Sequence, residues 1–528
     1  MKASDVVVSC LENEGVEYIF GIIGKEVLDL AHSLSASEKI KYIPVRHEQG
    51  AAFMADVYGR ISGKPGVCMA TLGPGATNLL TGIASANLDY SPVIALIGQT
   101  GLDKQHKHVH QYIDIEKVFE PVTKWSVQIK AANMIPEIIR KSFRIASEEK
   151  PGAVVIQIPE NIAMENVTTK PIAVSSLPKS VPAAEALKLA AQLLNQSLRP
   201  FILVGNEVIR QEAVKEVQTF IENLGSPVAQ SFMAKGILPK AHPQNFYTFG
   251  FNQKDYVLKG FEEADLLIVI GFDIREKLPS EWNMKKVPVI HISASAADVD
   301  ECYPVKVELV GNLKESLPLF LKNEIKPKHW LPAGDLKNRI VESYSIVEKV
   351  GDDSSLTIEH ILQAIERAQT EDTIVISDVG SHKISVARTY QPKHANQLII
   401  SNGFASMGIS IPGAIGAKVA APEKTVICIT GDGGALMNFS ELETAKRLGL
   451  SFIIILLDNS MLKLEVDMMK RKFANSFGVT FTNPDFIQLA ASYGVKAMKP
   501  TNTIEFEAML TEAIKLKNEI VLLDTRLI

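Results

Sequence analysis

The chain has little cysteine. Cys10, Cys68, Cys302 and Cys428 are the only four in 528 residues, and no two stand in a Cys-x-x-Cys spacing. A disulfide framework and a cysteine-built metal site are therefore not expected, and all four read as reduced thiols. An excess of basic charge is also missing. Fifty-five Lys and Arg stand against 60 Asp and Glu, a net charge of −5, which leaves no electrostatic footprint for nucleic acid. No apolar run approaches the length that crosses a bilayer. Met1-Lys2-Ala3-Ser4-Asp5 leads into an amphipathic pattern and not into the apolar core of a signal peptide. A cytoplasmic protein without membrane contact is the expectation. Short solenoid repeats are absent as well. What remains is an ordinary globular composition, 46% hydrophobic and 22% charged, with a length that suggests about three domains.

Helix and strand signals alternate in three blocks, 1–172, 183–330 and 356–528, separated by Pro-, Ser- and Lys-rich linkers at 173–181 and 322–335. In the first block the pattern predicts strands at 16–20, 43–48, 66–71 and 93–97, and helices at 5–14, 51–60 and 77–89. In the second it predicts strands at 201–204, 266–270 and 289–292 after a helix at 183–194. In the third it predicts strands at 373–377, 425–430 and 520–524, the last closing the sheet, with helices at 358–368 and 408–419. Such βα alternation argues for α/β architecture: three doubly wound parallel-sheet domains. The first and third blocks share size and pattern, which suggests two related domains flanking a different one.

The third block holds the most informative stretch. Gly431-Asp432-Gly433-Gly434 ends one predicted strand, and Leu457-Asp458-Asn459-Ser460 ends the next, with Asn459 lying 27 positions after Asp432. Between them run a helix-like stretch, 438–448, and the apolar run 452–457. Neighbouring parallel strands end on one sheet edge, where ligands bind, so Asp432 and Asn459 should converge there. A carboxylate and an amide oxygen form a hard-oxygen donor set suited to Mg²⁺ carrying a diphosphate. The glycines let backbone amides approach phosphate oxygens.

This spacing resembles the metal–diphosphate motif of thiamine diphosphate enzymes, and the likeness extends along nearly the whole chain. Phe20-Gly21-Ile22-Ile23-Gly24, Arg46-His47-Glu48 and Gly73-Pro74-Gly75-Ala76-Thr77-Asn78 are similar to the pyrimidine-binding domain of the acetolactate synthase–pyruvate oxidase group. Asp378-Val379-Gly380-Ser381-His382, Ser401-Asn402-Gly403-Phe404-Ala405-Ser406-Met407-Gly408 and Glu441-Leu442-Glu443-Thr444-Ala445 are similar to its diphosphate-binding domain. The pattern is nearest to flavin-free, catabolic-type acetolactate synthase.

The resemblance implies roles position by position. Glu48 matches the glutamate that activates the cofactor through its aminopyrimidine ring. Asp432 and Asn459 match Mg²⁺ ligands, with the Met461 carbonyl as the third. Gly380, Ser381 and His382, with the amides of Gly433 and Gly434, match diphosphate binders. The Ala405 carbonyl would accept from the exocyclic amine, and Met407 matches the apolar residue that bends the cofactor. Gln111 and Lys25 match the substrate side, with His110 and Lys463 as further candidates. Each also has a plain structural reading: Glu48 as a helix-start carboxylate, Met407 as a core methionine, His382 as a cap, Gln111 as part of an exposed loop, and Lys463 as a side chain reaching solvent.

The implied reaction is decarboxylation of pyruvate, or a similar 2-oxoacid, and carboligation to a second 2-oxoacid. The implied cofactors are thiamine diphosphate and Mg²⁺. The implied assembly is a homodimer or homotetramer with the cofactor between subunits. Three departures bear on substrate and flavin. Ile23 replaces the group's usual proline, a form also similar to carboxyethylarginine synthase, as are Met233-Ala234-Lys235-Gly236-Ile237-Leu238-Pro239 and His291-Ile292-Ser293. Lys463-Leu464 and Asp467 stand where catabolic acetolactate synthases carry Met-Val and Gln. Ile292-Ser293-Ala294-Ser295-Ala296 replaces the Asp-Ile-Asp-Pro of flavin binders, so no functional FAD is expected. A simple 2-oxoacid decarboxylase, a carboxyethylarginine-type synthase and a flavin-dependent pyruvate oxidase are the alternatives. A non-catalytic relative would have lost Glu48, Asp432 or Asn459, and all three are present.

Overall fold

Runs of β-branched and aliphatic residues, each ending at a glycine or polar turn, build three six-stranded sheets in which every pairing is parallel. The computed structural model describes residues 1–107, 109–175, 178–251, 253–332, 334–344 and 356–526, the side chain of residue 344 excepted. The first sheet contains β1 (Tyr18–Gly21), β2 (Lys41–Pro44), β3 (Gly66–Ala70), β4 (Val93–Gln99), β5 (Trp125–Gln128) and β6 (Ala153–Pro159), in the order β2-β1-β3-β4-β6-β5. The central sheet contains β7 (Pro200–Val204), β8 (Val228–Gln230), β9 (Asn245–Thr248), β10 (Leu266–Ile270), β11 (Val289–Ser293) and β12 (Val305–Val310), in the order β12-β11-β10-β7-β8-β9. The third contains β13 (Thr373–Ser377), β14 (Leu398–Ile400), β15 (Thr425–Gly431), β16 (Ile453–Asp458), β17 (Lys496–Met498) and β18 (Val521–Arg526), in the order β14-β13-β15-β16-β18-β17. Helices cover both faces, so β3, β4, β6, β10 and β16 are buried along their whole length.

The first and third sheets have one topology: counted from their own first strand, both run 2-1-3-4-6-5. The central sheet differs. The relation suggested by the sequence pattern is thus present as shared strand order.

Several expected elements shift. The strand expected at 43–48 stops at Pro44, and Glu48 opens the helix Glu48–Ser62, with His47 as N-cap accepting from the Gln49 amide. The helix-like stretch 438–448 breaks into helix Asp432–Asn438, a 3₁₀ turn Phe439–Glu441 and helix Leu442–Arg447. The last strand does not close the sheet; β18 lies inside it, and β17 forms the edge. The linkers 173–181 and 322–335 carry no helix or strand among their described residues, 176, 177 and 333 lying outside them. Among the described residues no helix is long and apolar enough to cross a membrane.

One apolar core runs through the first and third domains of the same chain, from Phe20 and Phe53 to Ile415 and Leu456. Its seam is the helix Glu48–Ser62 packed on the helix Ser410–Ala420. Small residues allow that approach: a Cβ on Gly416 would lie 2.3 Å from the Met54 carbonyl oxygen, and one on Gly413 would lie 2.9 Å from Val57 Cγ2. Alanine favours a helix over glycine by about 1 kcal/mol, yet Gly416→Ala should destabilise the protein by roughly 1–3 kcal/mol through overpacking. Urea or thermal unfolding checks this; equal or greater stability contradicts the packing.

Candidate active site

In the third sheet the strand order reverses between β13 and β15, and the segments leaving β13, β14, β15 and β16 meet at that crevice. They line a cavity of about 500 Å³. Gly380, Ser381 and His382 enter it after β13, Met407 after β14, Asp432, Gly433 and Gly434 after β15, and Asn459, Met461 and Lys463 after β16.

Asp432 is held hard. Its Oδ2 accepts from the amides of Asn459 (3.1 Å) and Ser460 (2.6 Å) and from Asn483 Nδ2 (2.7 Å), while Oδ1 accepts from the Gly433 amide (2.8 Å). Asn459 Oδ1 accepts from the Met461 amide at 3.1 Å. Met407 packs over the turn, its Cε 3.3 Å from where a Gly433 Cβ would sit. Behind the turn the buried Asp378 accepts from the amides of Val379, Gly408 and Ser410 and from the hydroxyls of Ser410 and Thr430, tying the β13, β14 and β15 loops together.

The cavity suits an anionic, metal-chelated group. His382, in the first turn of the helix Ser381–Thr389, is buried and its Nε2 has no hydrogen-bond partner among the described residues. Burial pushes its imidazole below the ordinary histidine range, against the pull of Asp378. A helix N-terminus and a histidine lining one cavity fit phosphate oxygens. No group of three or more His, Cys, Asp and Glu gathers among the described residues to hold a metal. A divalent ion here would rest on one carboxylate, amide oxygens and oxygens of the ligand, as Mg²⁺ does.

The first sheet has the matching edge. Its order reverses between β1 and β3, and the segments leaving β1 to β4 carry Lys25, Glu48, the Gly73-Pro74-Gly75 turn and Gln111. Glu48 is buried, and its Oε2 accepts from Asn78 Nδ2 at 2.9 Å. A Cβ on Gly73, where φ is 59°, would lie 2.7 Å from the Gln111 carbonyl, so position 73 must be glycine for Gln111 to close on the turn; a Cβ on Gly75 would lie 3.3 Å from Glu48 Oε1. Gln111 has φ of 61°. Lys25, His110 and Gln111 are exposed on the same edge, and Thr71 Oγ1 donates to Glu26 beside Lys25. None of these residues lines the third-domain cavity. Ala405, with φ of 56°, stands in the loop before Met407 but is outside the cavity lining too.

Sequence reasoning missed Asn483. Its amide nitrogen bridges Asp432 and Asp458, donating to each at 2.7 Å, and so screens two carboxylates that would otherwise repel. The only local signal, Asn483-Pro484-Asp485, reads as a turn before a helix, and Asp485 indeed caps the helix Phe486–Ser492.

The central sheet reverses between β7 and β10, and that crevice is filled at its floor by Glu276. This half-buried carboxylate accepts from the Asn206 amide (3.1 Å), from the Asp273 amide (3.4 Å) and from the Ser231 hydroxyl. A Cβ on Gly205 would lie 2.7 Å from Glu276 Oε1.

Comparison with known proteins fits this anatomy. Residues 1–118 match the thiamine pyrophosphate enzyme N-terminal TPP binding domain, 187–319 its central domain and 378–525 its C-terminal TPP binding domain. The chain is 31% identical to an acetolactate synthase of Bacillus subtilis, covering 99% of this chain and 92% of that one. It is 34% identical to a probable acetolactate synthase large subunit of Methanocaldococcus jannaschii (99% and 91%) and 32% identical to the acetolactate synthase isozyme 1 large subunit of Escherichia coli (97% and 91%). The chain belongs to the thiamine diphosphate-dependent enzymes of the acetolactate synthase–pyruvate oxidase family, and is an acetolactate synthase-like enzyme.

Because Asn483 orients Asp432, the metal ligand that the resemblance implies, Asn483→Ala should weaken Mg²⁺-dependent binding of thiamine diphosphate by roughly 10- to 100-fold, the usual cost of losing a residue that orients such a ligand. Titration calorimetry reads this directly, and wild-type affinity contradicts it.

Proposed function

We propose that this protein is a carboligase of acetolactate synthase type, dependent on thiamine diphosphate and Mg²⁺. It decarboxylates pyruvate or a similar 2-oxoacid and joins the two-carbon fragment to a second 2-oxoacid. The observation that carries this reading is the cavity at the β13/β15 reversal, where Asp432, Asn459, Gly433, Gly434 and His382 converge. When bound, the cofactor supplies the carbanion chemistry. Asp432, Asn459 and the Met461 carbonyl would hold Mg²⁺, and Gly380, Ser381, His382 and the amides of Gly433 and Gly434 the diphosphate. Met407 would support the bend between the rings, and the Ala405 carbonyl would accept from the exocyclic amine. Glu48 would hydrogen-bond the aminopyrimidine ring and so promote loss of the thiazolium carbon proton. Gln111 and Lys25, with His110, would meet the substrate's oxygens. The limits 1–172, 183–330 and 356–528 are those we propose for the pyrimidine-binding, central and diphosphate-binding domains.

Lys25, Glu48, Gly73, Gly75 and Gln111 do not line the cavity at Asp432, which supports a second copy completing each site. Exposed apolar side chains flank both edges, Ile23 and Leu28 on one and Phe404, Leu436 and Met437 on the other, as a surface covered on assembly requires. A homodimer is the minimal active unit, and a homotetramer pairs two such units. Lys463, which lines the cavity, would be a further substrate-side cation, held by a partner on its own helix. Its Nζ sits 2.5 Å from Asp467 Oδ1, one helical turn on, and the pair neutralises itself. Glu276 across the central crevice supports an enzyme without functional flavin.

Purified protein given pyruvate, Mg²⁺ and thiamine diphosphate should yield acetolactate by mass spectrometry. Acetaldehyde alone, or no product, sinks the carboligase reading in favour of a decarboxylase or a carboxyethylarginine-type synthase. Glu48→Gln should bind cofactor but lose turnover by roughly 10²-fold or more. Mixed dimers of Glu48→Gln and Asp432→Ala chains carry one site with both lesions and one with neither. They should regain part of the activity that each variant lacks alone; no recovery contradicts the shared site.

A further inference from the structure

Glu441 has no role in the site as described so far, yet it is among the most unusual side chains in the protein. It is fully buried, and burial pushes its carboxyl above the ordinary glutamate range. It leaves its own domain to do so. From the 3₁₀ turn Phe439–Glu441 of the third domain, Oε1 accepts from two first-domain amides, Arg46 at 3.0 Å and His47 at 2.9 Å. Oε2 accepts from the Thr444 hydroxyl at 2.7 Å.

Arg46 and His47 are the two residues immediately before Glu48. They follow β2, which is the outer strand of its sheet, so their amides have no neighbouring strand to bond. The Glu441 carboxylate supplies the missing acceptor. The approach is close enough to demand glycine opposite: a Cβ on Gly50 would lie 2.6 Å from Glu441 Oε1. A buried carboxylate is costly unless its hydrogen bonds are made. An apolar side chain would fill the space at lower cost, but it would leave the turn before Glu48 unpinned.

We infer that Glu441 is a positioning residue: it fixes, across the domain seam, the backbone turn that aims Glu48 at the cofactor ring. This rests on the role given to Glu48 above. Glu441 touches neither cofactor nor substrate and acts only through that turn, so its loss shows in what Glu48 does and not in how the diphosphate is held.

The test uses the holoenzyme with Mg²⁺ and thiamine diphosphate. It measures how fast the thiazolium carbon proton of the bound cofactor exchanges with deuterium, by acid quench and NMR. Glu441→Ala should slow exchange by about tenfold or more, since a misplacement near 1 Å is enough for such losses, while cofactor affinity stays unchanged. Glu441→Gln should restore the wild-type rate, because its amide oxygen still accepts from both backbone amides and its nitrogen donates to Thr444. Gly50→Ala, which keeps Glu441 but drives it off the turn, should behave like Glu441→Ala and carries the test should that variant fail to fold. A merely structural role would lower the melting temperature and leave the exchange rate of the folded holoenzyme alone. Wild-type exchange in Glu441→Ala or Gly50→Ala, with slow exchange in Glu48→Gln, overturns this inference only. Wild-type exchange in Glu48→Gln overturns the reading of Glu48 beneath it. Slow exchange in Glu441→Gln rules out positioning by hydrogen bonds.

Discussion

Parallel pairing carries the C-terminal end of every strand in a sheet to one edge, and the rest of the structure depends on that constraint. At the point where the strand order reverses, the loops on either side splay and leave a crevice. In the third sheet this brings a carboxylate, an amide, two glycines and a helix N-terminus around one cavity, although the chain spreads them from residue 380 to residue 461. Strand order 2-1-3-4-6-5 repeats in the first sheet, and the same geometry there places Glu48 beside the Gly73-Pro74-Gly75 turn. One topology used twice thus provides two edges with different chemistry, which we propose as half-sites, one for a metal-bound anion and one for a ring.

The two halves are linked within the chain by buried charge as well as by the glycine-lined helix seam. Glu441 of the third domain holds the amides of Arg46 and His47. In the reverse direction, Asp89 of the first domain accepts from the amides of Asn402 (3.1 Å) and Gly403 (2.5 Å) in the segment leading to Ala405 and Met407. Arg60 neutralises Asp89 at 2.8 Å and pairs with Asp56 at 2.7 Å. The Asn402 side chain reaches the central domain, donating to the Glu276 carbonyl at 2.9 Å. The loop before Met407 is therefore gripped from all three domains. Burying so many charges is tolerable because each has its partners, and the result is a frame in which loops, usually the mobile parts of a protein, are fixed.

Much of this was legible from the residues. The predicted strands at 266–270 and 373–377 and the helix 358–368 coincide with the structure, because continuous apolar runs and a strong 3.6-residue period leave little choice. The convergence of Asp432 and Asn459 followed from spacing alone. Two patterned strands, the apolar β6 and the alternating β12, were left unread; the rest of what escaped is what local pattern does not carry. The strands β5, β8, β9, β14 and β17 have three or four residues each and show no period. The start of the Glu48 helix was hidden by the apolar Ile43-Pro44-Val45 before it, which reads as strand. Asn483 and Glu441 work through contacts made only after folding: Asn483 reads locally as a turn, and Glu441 stands in a motif that carries the resemblance without showing what it touches. That Glu48 stays out of the cavity at Asp432 is likewise a property of packing.

The central claim is that one cofactor is held between the first domain of one copy and the third domain of another. A crystal structure of the protein grown with thiamine diphosphate and Mg²⁺ tests it most directly. The account predicts the pyrimidine ring against Glu48 of one subunit and the metal and diphosphate against Asp432 and Asn459 of its partner. A cofactor whose ring and diphosphate both lie on a single chain, or whose ring lies away from Glu48, would contradict it.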